Sequence, residues 1–296
     1  MAAPELRPMG IGDILDTTFR LYKSHFSTYT SIALLAYVPF SLMLSIYQIS
    51  TGFGSQNPIR QLMEGQAVNQ PPRVIGVSEF RWWVQPGRFE VAQDAPSPNI
   101  PGLLIGGLGT FIFAVVFLPW CQAALVHNIS ATYLGEDLGA VPSYRRAGPR
   151  VFRFVISAIL VGLVSMLGCC MLVVPGIIFW LWFALVGPVI MLEDLGPIAA
   201  MSRSRQLMSG NLGKAFLLGF VVGLLSFFFQ VFIMAFQAFI PWPHLFLEFF
   251  VPNVLGVLLL PIQLAPTILL YYDIRIRKEA FDLMMLANAV GRPIGP

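Results

Sequence analysis

The amino-acid sequence predicts an all-α polytopic membrane protein with six transmembrane helices and amphipathic interfacial helices on the cytoplasmic side. Three observations carry that expectation. Six apolar stretches reach the roughly 20 residues that a helix rising 1.5 Å per residue needs to cross a hydrocarbon core about 30 Å thick. The 296 residues are 56% hydrophobic and 11% charged, with a mean hydropathy of +0.74, whereas about a quarter of an ordinary soluble domain is charged. Finally, Lys and Arg fall overwhelmingly on alternate connections.

The first span is expected over 29–50, the second over 101–127 and the third over 151–174. Pro175 and Gly176 then punctuate the run. Because proline suits the first turn of a helix, where its missing N–H has no intrahelical partner, a tight turn into a fourth span over 175–192 is predicted. The fifth and sixth spans follow over 212–240 and 252–272. Of the 18 Lys and Arg residues, 14 lie in one set of connections: Arg7, Arg20, Lys23, Arg145, Arg146, Arg150, Arg153, Arg203, Arg205, Lys214, Arg275, Arg277, Lys278 and Arg292. The others, Arg60, Arg73, Arg81 and Arg88, share the long loop 51–100. Basic residues stay on the cytoplasmic side, so both termini are expected there, and six spans satisfy the even number this requires. Met1 to Gly10 holds Glu5, Arg7 and two prolines in place of a basic n-region and an apolar h-region, so no cleavable signal peptide is expected. The whole chain, 1–296, reads as one membrane domain.

The inner segments have their own patterning. From Ile11 to Phe26, the residues Ile11, Ile14, Leu15, Phe19, Tyr22 and Phe26 recur at helical spacing opposite Asp13, Asp16, Arg20 and Lys23, which predicts an amphipathic helix in the headgroup plane. A second amphipathic helix is expected over 273–290. There Arg275 with Glu279, and Lys278 with Asp282, form i,i+4 pairs worth about 0.2–0.5 kcal/mol each. Short basic pieces, "FRLYKSHF", "SYRRAGPRVF" and "SRQLMSGNL", precede spans one, three and five. They suggest three helical hairpins, each entered through an interfacial helix.

Residues with chemical potential are few. Cys121, Cys169 and Cys170 lie in apolar runs without His or carboxylates at ligand spacing, so packing is expected, with neither disulfide nor metal. His127 has no second ligand, CxxCH motif or paired histidine beside it and reads as an interfacial histidine; no cofactor is expected. Pro39, Pro119, Pro188, Pro261 and Pro266 interrupt the spans, each unable to donate to the carbonyl four residues earlier, such as Ala184 for Pro188 and Val257 for Pro261. Broken helices of this kind can frame transporter sites. The span centres, however, hold Gln122, Gln230, Gln237 and Gln263 and no ionisable group, where transporters usually keep one.

Two surface sites stand out. Arg203 and Arg205, with Arg277 and Lys278, are placed to meet phosphates of anionic lipids at the cytoplasmic headgroups. In the outer loop, Arg81, Trp82 and Trp83 combine the residue types that anchor protein interfaces with the usual headgroup position of Trp. A protein partner is therefore expected through the loop 51–100. A net charge of +3 gives no ground for nucleic-acid binding.

Three blocks resemble the glycerophosphoryl diester phosphodiesterase membrane-domain family of prokaryotic multi-span proteins. These are "RPMGIGDILDTTFRLYKSHF" (Arg7 to Phe26), "VPGIIFWLWFALVGPVIMLEDLGPIAAMSRSRQLMSGNLGKAF" (Val174 to Phe216) and "LLYYDIRIRKEAFDL" (Leu269 to Leu283). Pro175, Gly176, Pro188, Glu193, Gly196, Ala200, Arg203, Ser204, Leu207 and Gly210 match the family pattern, whereas Arg205 and Gly213 stand where it usually carries an aromatic residue. Neither the His-Arg nor the Glu-Asn pair of the catalytic barrel found in some relatives is present. The resemblance implies a membrane domain without its enzyme, in the inner membrane of a prokaryote. The expected function is a non-catalytic module that binds lipid or protein, as an accessory or structural subunit of a larger membrane complex. The alternative is a small permease whose kinked helices frame a substrate path.

Overall fold

The computed structural model describes residues 8–50, 100–171, 173–239 and 245–279. Among the described residues there is no strand. The helices are α1 (Ile11–Ser24), α2 (Phe26–Ser50), α3 (Ile100–Tyr133), α4 (Ala140–Ala147), α5 (Val151–Met171), α6 (Val173–Trp182), α7 (Val186–Glu193), α8 (Pro197–Met208), α9 (Leu212–Phe239), α10 (Leu245–Val257) and α11 (Leu260–Glu279). One 3₁₀ turn, Gly148–Arg150, joins α4 to α5. Among the described residues, six stretches are long and apolar enough to cross a membrane: Phe26–Gln48, Gly106–Tyr133, Ala140–Cys170, Val174–Glu193, Leu212–Gln237 and Phe250–Glu279. The chain is an all-α, multi-pass membrane protein.

α1 begins where the Asp13 carboxylate accepts the Gly10 N–H at 2.8 Å, satisfying one donor at the helix start. It buries Ile14 and Thr18 and exposes Asp13, Asp16, Arg20 and Lys23. Its course is fixed at both ends. The Met9 N–H donates to Asp273 at 2.7 Å and the Tyr22 hydroxyl to the Leu258 carbonyl at 3.1 Å, so α1 runs antiparallel to α11. Of the helix expected over 11–26, Ile11–Ser24 is present and Phe26 already opens α2; its axis follows the last span. Short helices also precede α5 and α9, namely α4 and α8, as the sequence echo suggests.

α5 ends at Met171 and α6 begins at Val173, so Pro175, expected to open the fourth span, already lies in the first turn of α6. Gly176 has a packing role instead. A Cβ there would lie 2.8 Å from the Cys169 nitrogen and 3.0 Å from its Cα, so only a bare Cα lets α6 approach α5 this closely.

Besides the 3₁₀ join near the start of the third span, two spans are discontinuous. The fourth is α6 and α7, joined through 183–185, where Ala184 and Val186 donate to the carbonyls three residues back. The sixth is α10 and α11, joined through 258–259 with the same i→i+3 pattern. Pro188 and Pro261 lie in the first turns of the second halves, whereas Pro39, Pro119, Pro252 and Pro266 sit inside continuous helices.

The most buried layer combines the last third of α3, Cys121–Tyr133, with α7, α8 and the Ile268–Ile274 part of α11. α5 and α9 are peripheral: Phe216, Phe220, Phe227, Phe228 and Phe232 of α9 are exposed, which suits a face turned to lipid. The ends of α3, α7 and α11 gather with the beginnings of α5 and α9 at one end of the bundle. Ser130 bonds Tyr272 at 2.6 Å, Arg153 bonds Asp194 at 2.9 Å and Lys214 bonds Asp273. This shared end carries the described basic clusters and is called the charged end below.

Candidate functional site

Among the described residues, three ionic groups, one cap and an exposed Arg146–Glu136 pair at 3.4 Å build the charged end. In the first group, the fully buried Asp273 carboxylate receives the Met9 N–H, the Lys214 ammonium at 2.5 Å and the Arg277 guanidinium at 3.0 Å. Lys214 and Arg277 also donate to the Met9 carbonyl, at 2.6 and 3.1 Å. One carboxylate thereby ties α1, α9 and α11 together, and a buried charge of this kind is sustained only when it is paired and hydrogen-bonded.

The second group spans α7, α8 and α11. Arg203 bonds Glu193 at 2.9 Å and Glu279 at 2.5 Å; Arg275 bonds Glu279 at 3.0 Å, the i,i+4 pair expected from the sequence. The Tyr271 hydroxyl donates to Glu193 at 2.9 Å and accepts from Arg275 at 2.9 Å. Partial burial pulls the Arg203 pKa down, and hydrogen bonds to Glu193 and Glu279 more than offset it, leaving it raised.

The third group holds the α7–α8 turn. Asp194 adopts a left-handed φ of 56°, a conformation Asp tolerates better than most residues, and receives Arg150 at 2.8 Å and Arg153 at 2.9 Å. Hydrogen bonding and charge from Arg150, followed by Arg153, hold its carboxyl below the usual aspartate range. His127 lies 3.5 Å from Arg150. Among the described residues no three His, Cys, Asp or Glu side chains form a metal-ligating group.

Lys278 caps α8. Its ammonium donates to the carbonyls of Gln206 at 2.9 Å and Ser209 at 2.7 Å, where the helix leaves acceptors unsatisfied and its dipole favours a cation. Gly210, at φ +83°, then turns the chain into α9.

Three of the four basic residues expected to meet lipid phosphate are therefore engaged within the protein: Arg203 with Glu193 and Glu279, Arg277 with Asp273, and Lys278 with α8. Arg205 differs. It is exposed, with its guanidinium 4.6 Å above the Trp182 ring. Arg81, Trp82 and Trp83 lie outside the described residues, as do Asp282 and 280–290 of the amphipathic stretch. Asp273, Lys214 and Tyr271 were not among the expected site residues, and the structure places them at the centre of the ionic layer.

The helix breaks are closed by hydroxyls from the short helices. Buried Ser204 of α8 donates to the Trp182 carbonyl at 2.7 Å, and Tyr22 of α1 to that of Leu258. Beside the first break, α5, α6, α9, α11 and the break residues Phe183 and Ala184 line a half-open cavity of about 420 Å³.

Comparison with known protein families, characterised proteins and solved structures finds no match for this chain.

Proposed function

We propose that this protein is a non-catalytic module of the cytoplasmic membrane that binds lipid or protein, with both termini cytoplasmic, and serves as an accessory or structural subunit of a larger membrane complex. The observation that carries the reading is an exposed rim at the charged end. Val141, Phe152 and Ile198 are exposed by 72%, 75% and 78%, beside the exposed Arg145, Arg146 and Arg205. Apolar side chains alternating with basic ones suit the boundary between acyl chains and anionic headgroups. The lipid-phosphate contact falls on Arg205 and Arg145, together with Arg146, whose pair with Glu136 at 3.4 Å is exposed on both sides and so is readily exchanged, since Arg203, Arg277 and Lys278 are held internally. The resemblance of 7–26, 174–216 and 269–283 to the phosphodiesterase membrane-domain family favours the same reading, a membrane domain acting without a catalytic barrel.

Native mass spectrometry from nanodiscs with equal phosphatidylcholine and phosphatidylglycerol tests it. Preferential retention of phosphatidylglycerol is expected. Arg145→Gln/Arg146→Gln/Arg205→Gln should reduce it by roughly fivefold per residue, from about 1 kcal/mol for each basic side chain near an anionic surface. Equal retention of the two lipids contradicts the proposal. The protein partner is assigned to the outer loop: Trp82→Ala/Trp83→Ala should lose a cross-linked companion chain, and unchanged association removes that part of the proposal.

The two helix breaks are the observation on the side of the permease alternative. Against it, the Trp182 and Leu258 carbonyls at the breaks are already taken by Ser204 and Tyr22, and no described residue lining the adjacent cavity is ionisable.

A further inference from the structure

The cavity beside the fourth-span break lies wholly among membrane-spanning residues. Its lining comes from Val161, from Trp180, Leu181, Phe183 and Ala184, from α9 between Ala215 and Ser226, and from α11 between Gln263 and Leu270. At about 420 Å³ it falls within the roughly 300–1,000 Å³ range of small-molecule sites. Along α9 it extends from the residue after Lys214 to Ser226, about 16 Å at 1.5 Å rise per residue, so it is a slot for a chain. Trp180, Leu181, Phe183 and Leu218 supply apolar walls, and Gly219 and Gly223 open the α9 side.

The slot ends on a polar rung. The Gln263 amide donates to the Ser226 hydroxyl at 3.1 Å, and Ser226 donates to the Val222 carbonyl at 2.8 Å. Thr267 lies one turn along α11 from Gln263 and also lines the cavity. A primary amide has two N–H donors and an acceptor oxygen, so Gln263 retains an N–H and its oxygen for an occupant. Pro188 cannot donate to the Ala184 carbonyl, which adds an acceptor-bearing residue to the same wall. The lining contains no ionisable side chain among the described residues, and a charge at this depth without a counter-ion is strongly disfavoured.

We propose that this slot binds an uncharged lipid of the diacylglycerol class, with an acyl chain along α9 and a hydroxyl or ester carbonyl on the Gln263–Ser226 rung. The inference extends the lipid-binding reading to a second site, independent of the basic rim. Its occupant comes from the bilayer, because every lining residue is in a span.

The test uses the full chain in phosphatidylcholine nanodiscs with two probes carrying the same diazirine-bearing acyl chain, a diacylglycerol and a phosphatidylglycerol. The diacylglycerol probe is expected to label peptides covering 180–184 and 219–226 and to be displaced by unlabelled diacylglycerol. Gly223→Leu fills the slot, and because a Cβ at Gly223 meets nothing within 4 Å, the helix accepts it; labelling should fall about tenfold or more. Gln263→Leu keeps the side-chain bulk and should weaken competition by diacylglycerol roughly fivefold, the loss of one net hydrogen bond. Equal labelling by both probes, labelling confined to the outward phenylalanines of α9, or cross-linking of the slot to a second copy overturns the proposal. Phosphatidylglycerol retention is read in the same variants: retained anionic lipid with no slot labelling refutes this inference alone, whereas slot labelling without anionic preference refutes the basic-rim reading alone.

Discussion

Replacing Asp273 by Ala should be the most destabilising single change at the charged end. The carboxylate is 0% exposed and serves three donors, the Met9 N–H at 2.7 Å, Lys214 at 2.5 Å and Arg277 at 3.0 Å. Removing it strands an ammonium whose side chain is only 17% exposed, together with a buried backbone N–H. Breaking a buried pair by removing one partner costs about 3–5 kcal/mol. Little of that comes from Arg277, whose side chain is 45% exposed and whose pairing belongs with surface ion pairs of about 0–1 kcal/mol; Arg277→Ala should therefore cost about 1 kcal/mol or less. Asp273→Leu/Lys214→Met removes both buried charges and should recover about 1–4 kcal/mol relative to Asp273→Ala, as in other replacements of buried ion pairs by apolar residues. SDS titration of the protein in mixed micelles measures these differences, and limited proteolysis ahead of Met9 reports release of the α1 start. The reasoning is refuted if Asp273→Ala is no worse than Arg277→Ala, or if the double variant is as unstable as Asp273→Ala.

Other substitutions probe the helix joins. Ser204→Ala leaves the Trp182 carbonyl without its hydroxyl donor and should cost about 1–3 kcal/mol, whereas exposed Ser202→Ala should stay within about 0.5 kcal/mol; SDS unfolding of the two separates a capped break from general sensitivity of α8. Gly176→Ala drives a methyl against the Cys169 backbone and should lose about 1–3 kcal/mol by overpacking. Gly162→Ala, where a Cβ meets nothing within 4 Å, should be neutral or gain up to about 1 kcal/mol, and thermal unfolding in detergent compares the pair. Asp194 has a depressed pKa, so its contribution is present above the ordinary aspartate value of about 3.9 and lost as pH falls through the lower folded value. Asp194→Asn should be less stable than the parent at pH 7, and the gap should close in acid; a gap unchanged with pH speaks against the Arg150 and Arg153 pairing.

The spans were legible because the bilayer imposes a length and composition that apolar runs such as Leu212–Gln237 display without help from distant sequence. Legibility ended where partners are far apart in the chain. Asp273 lies one residue beyond the expected end of the sixth span, and its meaning comes from Met9 and Lys214, 264 and 59 positions away. Lys214, Arg277 and Lys278 count equally toward a topology rule, yet one is half of a buried ion pair, one braces it and one caps α8. Proline marked the two breaks without distinguishing them from Pro39, Pro119 and Pro266, which stay inside helices. A proline removes a donor; at both breaks the local end carbonyl is also served by a hydroxyl from a short helix, Ser204 or Tyr22, and sequence periodicity gives no sign of that. The slot beside α9 depended likewise on four segments meeting, although Gln263 was visible as a polar residue inside a span.

The most direct test of the account is the sidedness of the charged end. In a background with Cys121, Cys169 and Cys170 replaced by Ala, single substitutions Asp13→Cys, Arg146→Cys and Lys278→Cys are treated with a membrane-impermeant maleimide in right-side-out and inverted vesicles, with Gly87→Cys in the outer loop as the opposite marker. Six passes with one shared basic end predict labelling of the first three from the cytoplasmic face alone and of Gly87→Cys from the outer face alone. Labelling of Asp13→Cys and Arg146→Cys from opposite faces contradicts it.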